Sequence, residues 1–326
     1  MKKLRWGLIS TARINKALFK PLQISPRNEL TAVASRDLDR AKAYAKEKGI
    51  PRAFGSYEEM LADPDIDVVY NPLPNNMHPE WTIKAAQAGK HILCEKPIAN
   101  TVEEVDAMTD AAKKAGVVLM EAFMYRHHPQ TKKAKELVNN GAIGKLQVIR
   151  GSFTFKIGNE DDVRLNASLG GGSIWDVGCY PISYSRLIAG SEAAEVFGWQ
   201  IKGARSGVDE SFFGTIKFAN GVYAQFDCGF RTPRRAHIEI AGDNGSLTIQ
   251  EPFQPYENMK MILKSGDKEE TIVTPGEDLY LGEVENMADA ILEGKPIGMS
   301  LEDSRNNVRT IQKLLESSAA GKPVSM

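Results

Sequence analysis

The sequence predicts an α/β domain with a doubly wound parallel sheet, followed by an α+β domain with a large, mostly antiparallel open sheet. Three observations lead there. Through the first ~120 residues short apolar runs alternate with amphipathic stretches, as in parallel strands joined by helices. Beyond about residue 123 the runs are β-rich and separated by tight-turn signals. A length of 326 residues suffices for two cores. The reading divides the chain at 1–122 and 123–326, with the final helix packing near the first domain.

In the first domain Trp6-Gly7-Leu8-Ile9 reads as the first strand and Leu30-Thr31-Ala32-Val33-Ala34 as the second. Segments 68–70, 91–94 and 117–120 continue the series. Helix starts carry chemical marks: Ser56 with Glu59, and Thr101 with Glu104, have capping-box spacing, in which side chains satisfy the first unpaired amides. Val102, Val105, Met108, Ala112 and Ala115 make one apolar stripe that Gly116 ends.

In the second domain, segments 147–156, 196–202, 211–218, 222–230, 237–240, 246–249 and 259–263 are strand-like. Asn220-Gly221 and Asp243-Asn244-Gly245 read as hairpin turns whose backbones need positive φ. Val222, Ala224, Phe226 and Cys228 alternate with Tyr223, Gln225 and Asp227, so one face is covered and the other more polar. A terminal helix is expected over about 302–317.

Composition excludes several function classes. A formal net charge of −1 leaves no electrostatic footprint for nucleic acid or an anionic membrane. No apolar run approaches the ~20 residues of a membrane span, and Met1-Lys2-Lys3-Leu4-Arg5-Trp6 leads into a strand instead of a signal-peptide core. A soluble cytoplasmic protein is expected. Cys94, Cys179 and Cys228 are sparse and unpaired in pattern, which argues for buried, reduced thiols. The adjacent His127-His128 lack a further ligand at metal-binding spacing, and no metal is expected.

Candidate chemistry begins at His91-Ile92-Leu93-Cys94-Glu95-Lys96-Pro97. If this run ends a parallel strand, Lys96 stands where open α/β sheets bind ligands, outside the carboxyl edge. Farther on comes Gly170-Gly171-Gly172-Ser173-Ile174-Trp175-Asp176-Val177-Gly178-Cys179-Tyr180. A lysine beside a tyrosine lowers the phenol's pKa from ~10 and lets it exchange a proton near neutrality. The plainer alternatives are a solvated lysine, a core tyrosine and a flexible glycine loop. Asp176 and Tyr180 lie four apart, one helical turn, although Pro181 starts or kinks that helix.

A dinucleotide fold turns from its first strand into a helix through G-x-G-x-x-G. Here the run is Ser10-Thr11-Ala12-Arg13-Ile14-Asn15, with Ser, Ala and Asn in place of the glycines. Its amides still offer a phosphate cradle at a helix N-terminus. At the end of the second strand stands Ser35-Arg36-Asp37, without the acid that would accept a ribose 2′-hydroxyl. Serine and arginine there suit a 2′-phosphate and favour NADP over NAD. Asp37 also reads as a cap for a helix at Leu38, which is compatible.

Together with Pro74-Asn75-Asn76-Met77-His78 and Glu121-Ala122-Phe123-Met124-Tyr125-Arg126-His127-His128-Pro129, these motifs resemble the Gfo/Idh/MocA oxidoreductase family. Within it the chain is similar to the branch of D-xylose dehydrogenases, dimeric dihydrodiol dehydrogenases and glucose–fructose oxidoreductase. The resemblance implies a Rossmann domain, then an open sheet through which members form homodimers or tetramers. It implies catalytic roles for Lys96, Asp176 and Tyr180, this last a histidine in many members. It implies cofactor contacts from Ser10, Thr11, Ala12, Arg13, Ile14, Ser35, Arg36, Pro74, Asn75, His78, Glu95 and Lys96. Arg126, Phe155 and Arg164, with Lys96, Asp176 and Tyr180, are the candidate substrate contacts. The implied activity is NADP-dependent hydride transfer to or from a sugar or polyol-like alcohol. Trans-dihydrodiol or glucose–fructose-type oxidoreduction is the alternative, and a regulator that senses NADP(H) without turnover is the non-enzyme alternative.

Overall fold

A computed structural model describes residues 3–256 and 258–326. Met1 and Lys2, read from the sequence as leading into the first strand, lie outside the described residues, and that strand begins at Leu4. The first part of the chain runs β1 (Leu4–Ile9), α1 (Lys16–Ile24), β2 (Asn28–Ala34), α2 (Leu38–Lys48), β3 (Arg52–Phe54), α3 (Tyr57–Ala62), β4 (Val68–Asn71), α4 (His78–Gln87), β5 (His91–Glu95), α5 (Val102–Ala115) and β6 (Leu119–Ala122). The strands pair in parallel in the order β3-β2-β1-β4-β5-β6. Order reverses between β1 and β4, and that switch point is where doubly wound sheets bind ligands. β4 is buried at every position, as a strand covered on both faces must be.

Local chemistry sets the helix ends. Thr101 and Glu104 form a complete capping box, and Gly116 closes α5 at φ 67°. Val117 N then bonds Ala112 O at 3.0 Å, so this amide closes the helix and β6 starts two residues later than the apolar run suggests. Ser56 accepts the Glu59 amide at 3.1 Å, but the Glu59 carboxylate takes the Gly55 amide instead of that of Ser56, so this box is only half formed. Asp37 caps α2 by accepting the Arg40 amide at 3.0 Å.

The chain continues through α6 (Pro129–Asn139), β7 (Leu146–Thr154), α7 (Cys179–Ala189), β8 (Ala193–Lys202), β9 (Asp209–Phe218), β10 (Tyr223–Gly229), β11 (Arg235–Gly242), β12 (Gly245–Gln250), β13 (Met259–Ser265), β14 (Lys268–Thr274), α8 (Leu281–Glu293), α9 (Leu301–Ala320) and β15 (Val324–Ser325). Its strands form one nine-stranded sheet in the order β14-β13-β12-β11-β7-β10-β9-β8-β15. Every neighbouring pair is antiparallel except β7 and β10.

Both anticipated hairpins form. Gly221 has φ 88° at the β9–β10 turn, as its position requires. The β11–β12 turn closes without a positive φ, contrary to the sequence expectation. Gly245 is needed there for space, because a Cβ would run into the Lys264 carbonyl.

The described chain divides into two compact units. One holds residues up to Met124 together with Asp278–Arg305, and the other holds Tyr125–Glu277 with Asn306–Met326. α8 thus belongs to the parallel-sheet unit, where Val284, Met287 and Ala288 join the core of Leu4, Trp6, Leu8 and Tyr70. Arg27, at the entry to β2, ties that helix down through Glu285 at 2.8 Å and Asp289 at 2.7 Å. In the second unit Ser317 of α9 accepts the Gly198 amide of β8 at 3.3 Å. Cys94, Cys179 and Cys228 are all buried. Among the described residues no helix is long and apolar enough to cross a membrane.

Candidate active site

At the switch point the chain leaves β1 through Ser10, which adopts φ 80°. That is the backbone the missing first glycine would supply freely, and a serine there costs about 1–3 kcal/mol of strain. Neighbours hold it: Ser10 N bonds Ala34 O at 3.0 Å and the buried Asn15 side chain donates to Ser10 O at 2.9 Å. Asn15, in the place of the third glycine, thereby makes the turn that glycines normally allow. Ala12 is extended, and Arg13, Ile14 and Asn15 form a 3₁₀ turn leading into α1. The amides of a turn feeding a helix are a phosphate-binding arrangement.

At the end of β2, Ser35 is buried and Arg36 exposed. The Asp37 carboxylate is engaged by the Arg40 amide of its own helix. Arg40 also reaches back, its Nε donating to Thr11 Oγ1 at 2.9 Å. Arg40, which the sequence reading did not single out, thus brings a second cation to the rim between the β1 and β2 turns. Its signal was the four-residue spacing from Arg36. Backbone cradle, buried serine, two exposed arginines and an occupied acid fit a dinucleotide carrying a 2′-phosphate.

The remaining motifs of this unit line the carboxyl ends of β4 and β5. Pro74 and Asn75 open a 3₁₀ turn ahead of α4. His78 is fully buried, its Nδ1 2.9 Å from Pro97 O and its Nε2 2.7 Å from Leu73 O. Burial pushes its imidazole down to about 4, against the pull of those carbonyls. His78 therefore braces the Pro74 turn against the Lys96-Pro97 loop. Lys96 lies directly after β5 and is half-buried, and the Lys96–Pro97 peptide is cis. Tyr70 donates to Glu95 Oε1, and Glu95 Oε2 accepts the Lys96 amide at 3.2 Å. Glu95 thus fixes the backbone that presents Lys96.

In the second unit the glycine run is a packed structure, not a flexible loop. Gly170, at φ 77°, ends the 3₁₀ turn Ala167–Leu169. Gly171 N bonds Asn166 O at 3.0 Å and Gly172 N bonds Arg164 O at 2.9 Å. A Cβ on Gly171 would lie 2.5 Å from the Arg164 carbonyl oxygen. Ile174–Gly178 then forms a π-helical turn that passes into α7, so Asp176 and Tyr180 are separated by this wider turn and not by a regular α-helical one.

Asp176 pairs with Arg164 at 2.8 Å, and the Arg164 guanidinium lies 5.8 Å from the centre of the Phe155 ring. The structure therefore brings Phe155, Arg164 and Asp176 together. Tyr180, 4% exposed, is boxed by Phe153, Tyr125 and Phe253, with ring centres at 5.3, 5.7 and 5.7 Å. Arg126 is anchored on α7, donating to Ser183 O and Oγ at 3.2 Å. His128 caps α6 by accepting the Gln130 amide at 3.1 Å, and burial pushes both His127 and His128 down to about 4. Asp209, unnoticed in the sequence because Asp209-Glu210 matches no motif there, accepts from Ser173 Oγ and Ile174 N, each at 2.7 Å.

A nucleotide cradle at a parallel-sheet switch point, followed by a lysine at the end of β5 and a tyrosine–carboxylate segment on an open-sheet domain, defines a nicotinamide-dependent oxidoreductase. Residues 4–123 match the oxidoreductase family with the NAD-binding Rossmann fold, and residues 131–248 match the Gfo/Idh/MocA C-terminal domain. The chain belongs to the Gfo/Idh/MocA oxidoreductase family.

It is 36% identical over 326 residues to D-xylose 1-dehydrogenase (NADP(+)) 2 of Haloferax volcanii, covering 99% of this chain and 100% of that one. It superposes with a TM-score of 0.92 and 29% identity on a 3-ketoreductase from Actinomadura kijaniata in complex with NADP and TDP-benzene, covering 97% of this chain and 98% of that one. Solved variants of that reductase change one lysine and one tyrosine. Aldose-aldose oxidoreductase from Caulobacter crescentus matches with a TM-score of 0.92 and 26% identity over 100% of both chains. The protein is thus an oxidoreductase of the sugar and polyol dehydrogenase type.

The strained turn gives a direct check. Ser10→Gly should raise the unfolding free energy by about 1 kcal/mol, because glycine adopts φ 80° without a Cβ penalty. The check is a denaturant titration; a lower stability would mean that the serine side chain contributes more than its backbone costs.

Proposed function

We propose that this enzyme moves hydride between NADP(H) and a secondary alcohol of a sugar or polyol, as an aldose dehydrogenase of the D-xylose dehydrogenase type. The observation that carries the reading is the lysine–tyrosine pair. Lys96 and Tyr180 are spaced along this chain as the substituted lysine and tyrosine are along the 3-ketoreductase. A bound nicotinamide supplies the hydride-accepting carbon. The chain supplies the rest. Tyr180 takes the proton from the hydroxyl being oxidised, and Lys96 lowers the phenol's pKa and holds that hydroxyl. The Arg164–Asp176 pair orients neighbouring hydroxyls with its remaining donors and acceptor, beside the apolar face of Phe155, while Arg126 contributes from α7.

Ser10, Thr11, Ala12, Arg13 and Ile14 bind the pyrophosphate, and Ser35, Arg36 and Arg40 bind the 2′-phosphate. Pro74 and Asn75 contact the cofactor directly, His78 by bracing their turn. Glu95 acts by positioning Lys96. A second reading, oxidation of trans-dihydrodiols, draws on 31% identity over 269 residues to the bovine trans-1,2-dihydrobenzene-1,2-diol dehydrogenase. Reduced-nicotinamide absorbance with a panel of aldoses, polyols and dihydrodiols separates the two.

The same reading includes a homo-oligomer, a dimer or tetramer, through the open face of the large sheet. β8, β9 and β10 place Trp199, Ile201, Phe213 and Tyr223 on one face, each more than two-fifths exposed. Trp199 and Phe213 are direct cross-strand neighbours. An apolar patch of this kind on a sheet face is characteristic of an interface.

Tyr180→Phe keeps the ring and removes the proton-exchanging group, so turnover should fall by about 10²- to 10⁴-fold while NADP binding persists. Lys96→Ala should also slow turnover, shift the pH optimum upward, and make the double variant little worse than the poorer single one. Near-normal steady-state turnover in folded Tyr180→Phe would return that tyrosine to a purely structural role.

Ser35→Asp should reverse the preference for NADP over NAD by adding an acceptor for a ribose hydroxyl and repelling phosphate. Equal kcat/KM for both cofactors in the native enzyme would rule out the assignment of Arg36 and Arg40. For the interface, light scattering at micromolar concentration should show an oligomer, and Trp199→Glu with Phe213→Glu should convert it to monomer. A native monomer would remove this part of the reading.

A further inference from the structure

We propose that Asp209 is a positioning residue of the acid–base segment: its carboxylate clamps the first turn of the Ile174–Gly178 helix to the start of β9, fixing where Asp176 and Tyr180 stand. The inference rests on the assignment of Tyr180 as the proton-transfer group.

The geometry is specific. Asp209 opens β9, a ten-residue strand flanked by β8 and β10, and itself pairs with Lys202 of β8. Its Oδ2 accepts from both the Ser173 hydroxyl and the Ile174 amide at 2.7 Å, the lengths of charge-assisted bonds. Ile174 is the first residue of the π turn, and Ser173 makes no capping bond of its own to that turn. Asp209 therefore does from a distant strand what a local cap does in an ordinary helix. Gly172 is part of the same device, because a Cβ there would collide with Asp209 Oδ1.

The Ser173 hydroxyl and the Ile174 amide, which donate to this carboxylate, are both neutral. Cys228 faces it from β10, with Sγ 3.7 Å from Ser173 Oγ, and burial beside Asp209 holds that thiol protonated. Burial pushes the Asp209 carboxyl up to about 6 against the pull of these donors, so near neutral pH they hold a buried anion. Such an anion holds its donors tightly, because their loss would leave the charge uncompensated.

The aromatic box of Tyr125, Phe153 and Phe253 encloses the Tyr180 ring through tilted and edge-on contacts, and Arg126 holds α7 at Ser183. Asp209 adds a hydrogen-bonded restraint at the start of the segment, where the π turn begins. A misplacement of about 1 Å at a reacting group costs about 10²-fold in rate.

The test compares Asp209→Ala, Asp209→Asn, Ser173→Ala and Tyr180→Phe in the full chain with NADP. Asp209→Ala should lower kcat by about 10²-fold, with KM for the alcohol and the dissociation constant of NADP unchanged within about threefold. Asp209→Asn, which keeps an acceptor oxygen, should lose less than about tenfold, and Ser173→Ala should fall between native and Asp209→Ala. Hydrogen exchange of the 170–180 peptide should accelerate in Asp209→Ala while peptides of the parallel sheet stay as in the native protein.

A native kcat in folded Asp209→Ala, or equal losses in Asp209→Asn and Asp209→Ala, would overturn the proposal. If Asp209→Ala does not fold, Ser173→Ala decides: a lowered kcat with unchanged KM and faster exchange at 170–180 supports the clamp, and native values on both overturn it. If Tyr180→Phe turns over normally, the acid–base assignment fails instead, a result separable from any behaviour of Asp209.

Discussion

Arg164, Asn166 and Asp209 crowd the backbone of Gly171 and Gly172 so closely that side chains are excluded, and the geometry of the second unit's site depends on that close approach. Buried backbone must find hydrogen-bond partners. Here the partners are two carbonyls of the preceding turn and one carboxylate from a sheet strand. Once they are satisfied, the π turn can begin only at Ile174, and Asp176 falls within reach of Arg164. The carboxylate that the sequence presents as an isolated acid is thus already half of an ion pair.

The parallel-sheet unit solves a comparable problem with different residues. Its nucleotide turn has a serine where glycine would be free of strain, and Asn15, Ala34 and the β2 edge hold the resulting conformation. Glu95 and His78 then fix the two loops at the carboxyl ends of β4 and β5 from within the core. Lys96 stands on a loop whose shape is determined by buried neighbours.

Much of this was legible in the sequence because the causes are local. The stripe from Val102 to Ala115, the Thr101–Glu104 box, the Asp37 cap and the alternation from Val222 to Cys228 each follow from neighbours a few residues away. What escaped depends on contacts between distant segments. α8 has no side-chain cap to announce it, and its stripe is meaningful only against β1 and β4. β14, Lys-Glu-Glu-Thr-Ile-Val-Thr, is a polar edge strand without clear alternation. The π turn, the Arg164–Asp176 pair and the contact of Asp209 arise only in the folded chain, since 36 residues separate Ser173 from its acceptor. The glycine run was the misleading case: mobile by composition, it is one of the most closely packed parts of the unit.

The single parallel pairing in the large sheet, β7 beside β10, has a consequence for how the chain reaches this state. Those strands cannot join until a loop of roughly 70 residues closes, and that loop contains the glycine run, α7 and the β8–β9 pair. Such long-range closure makes folding slow compared with formation of a simple hairpin. The segment carrying Asp176 and Tyr180 therefore acquires its final geometry only when the middle of the sheet zips.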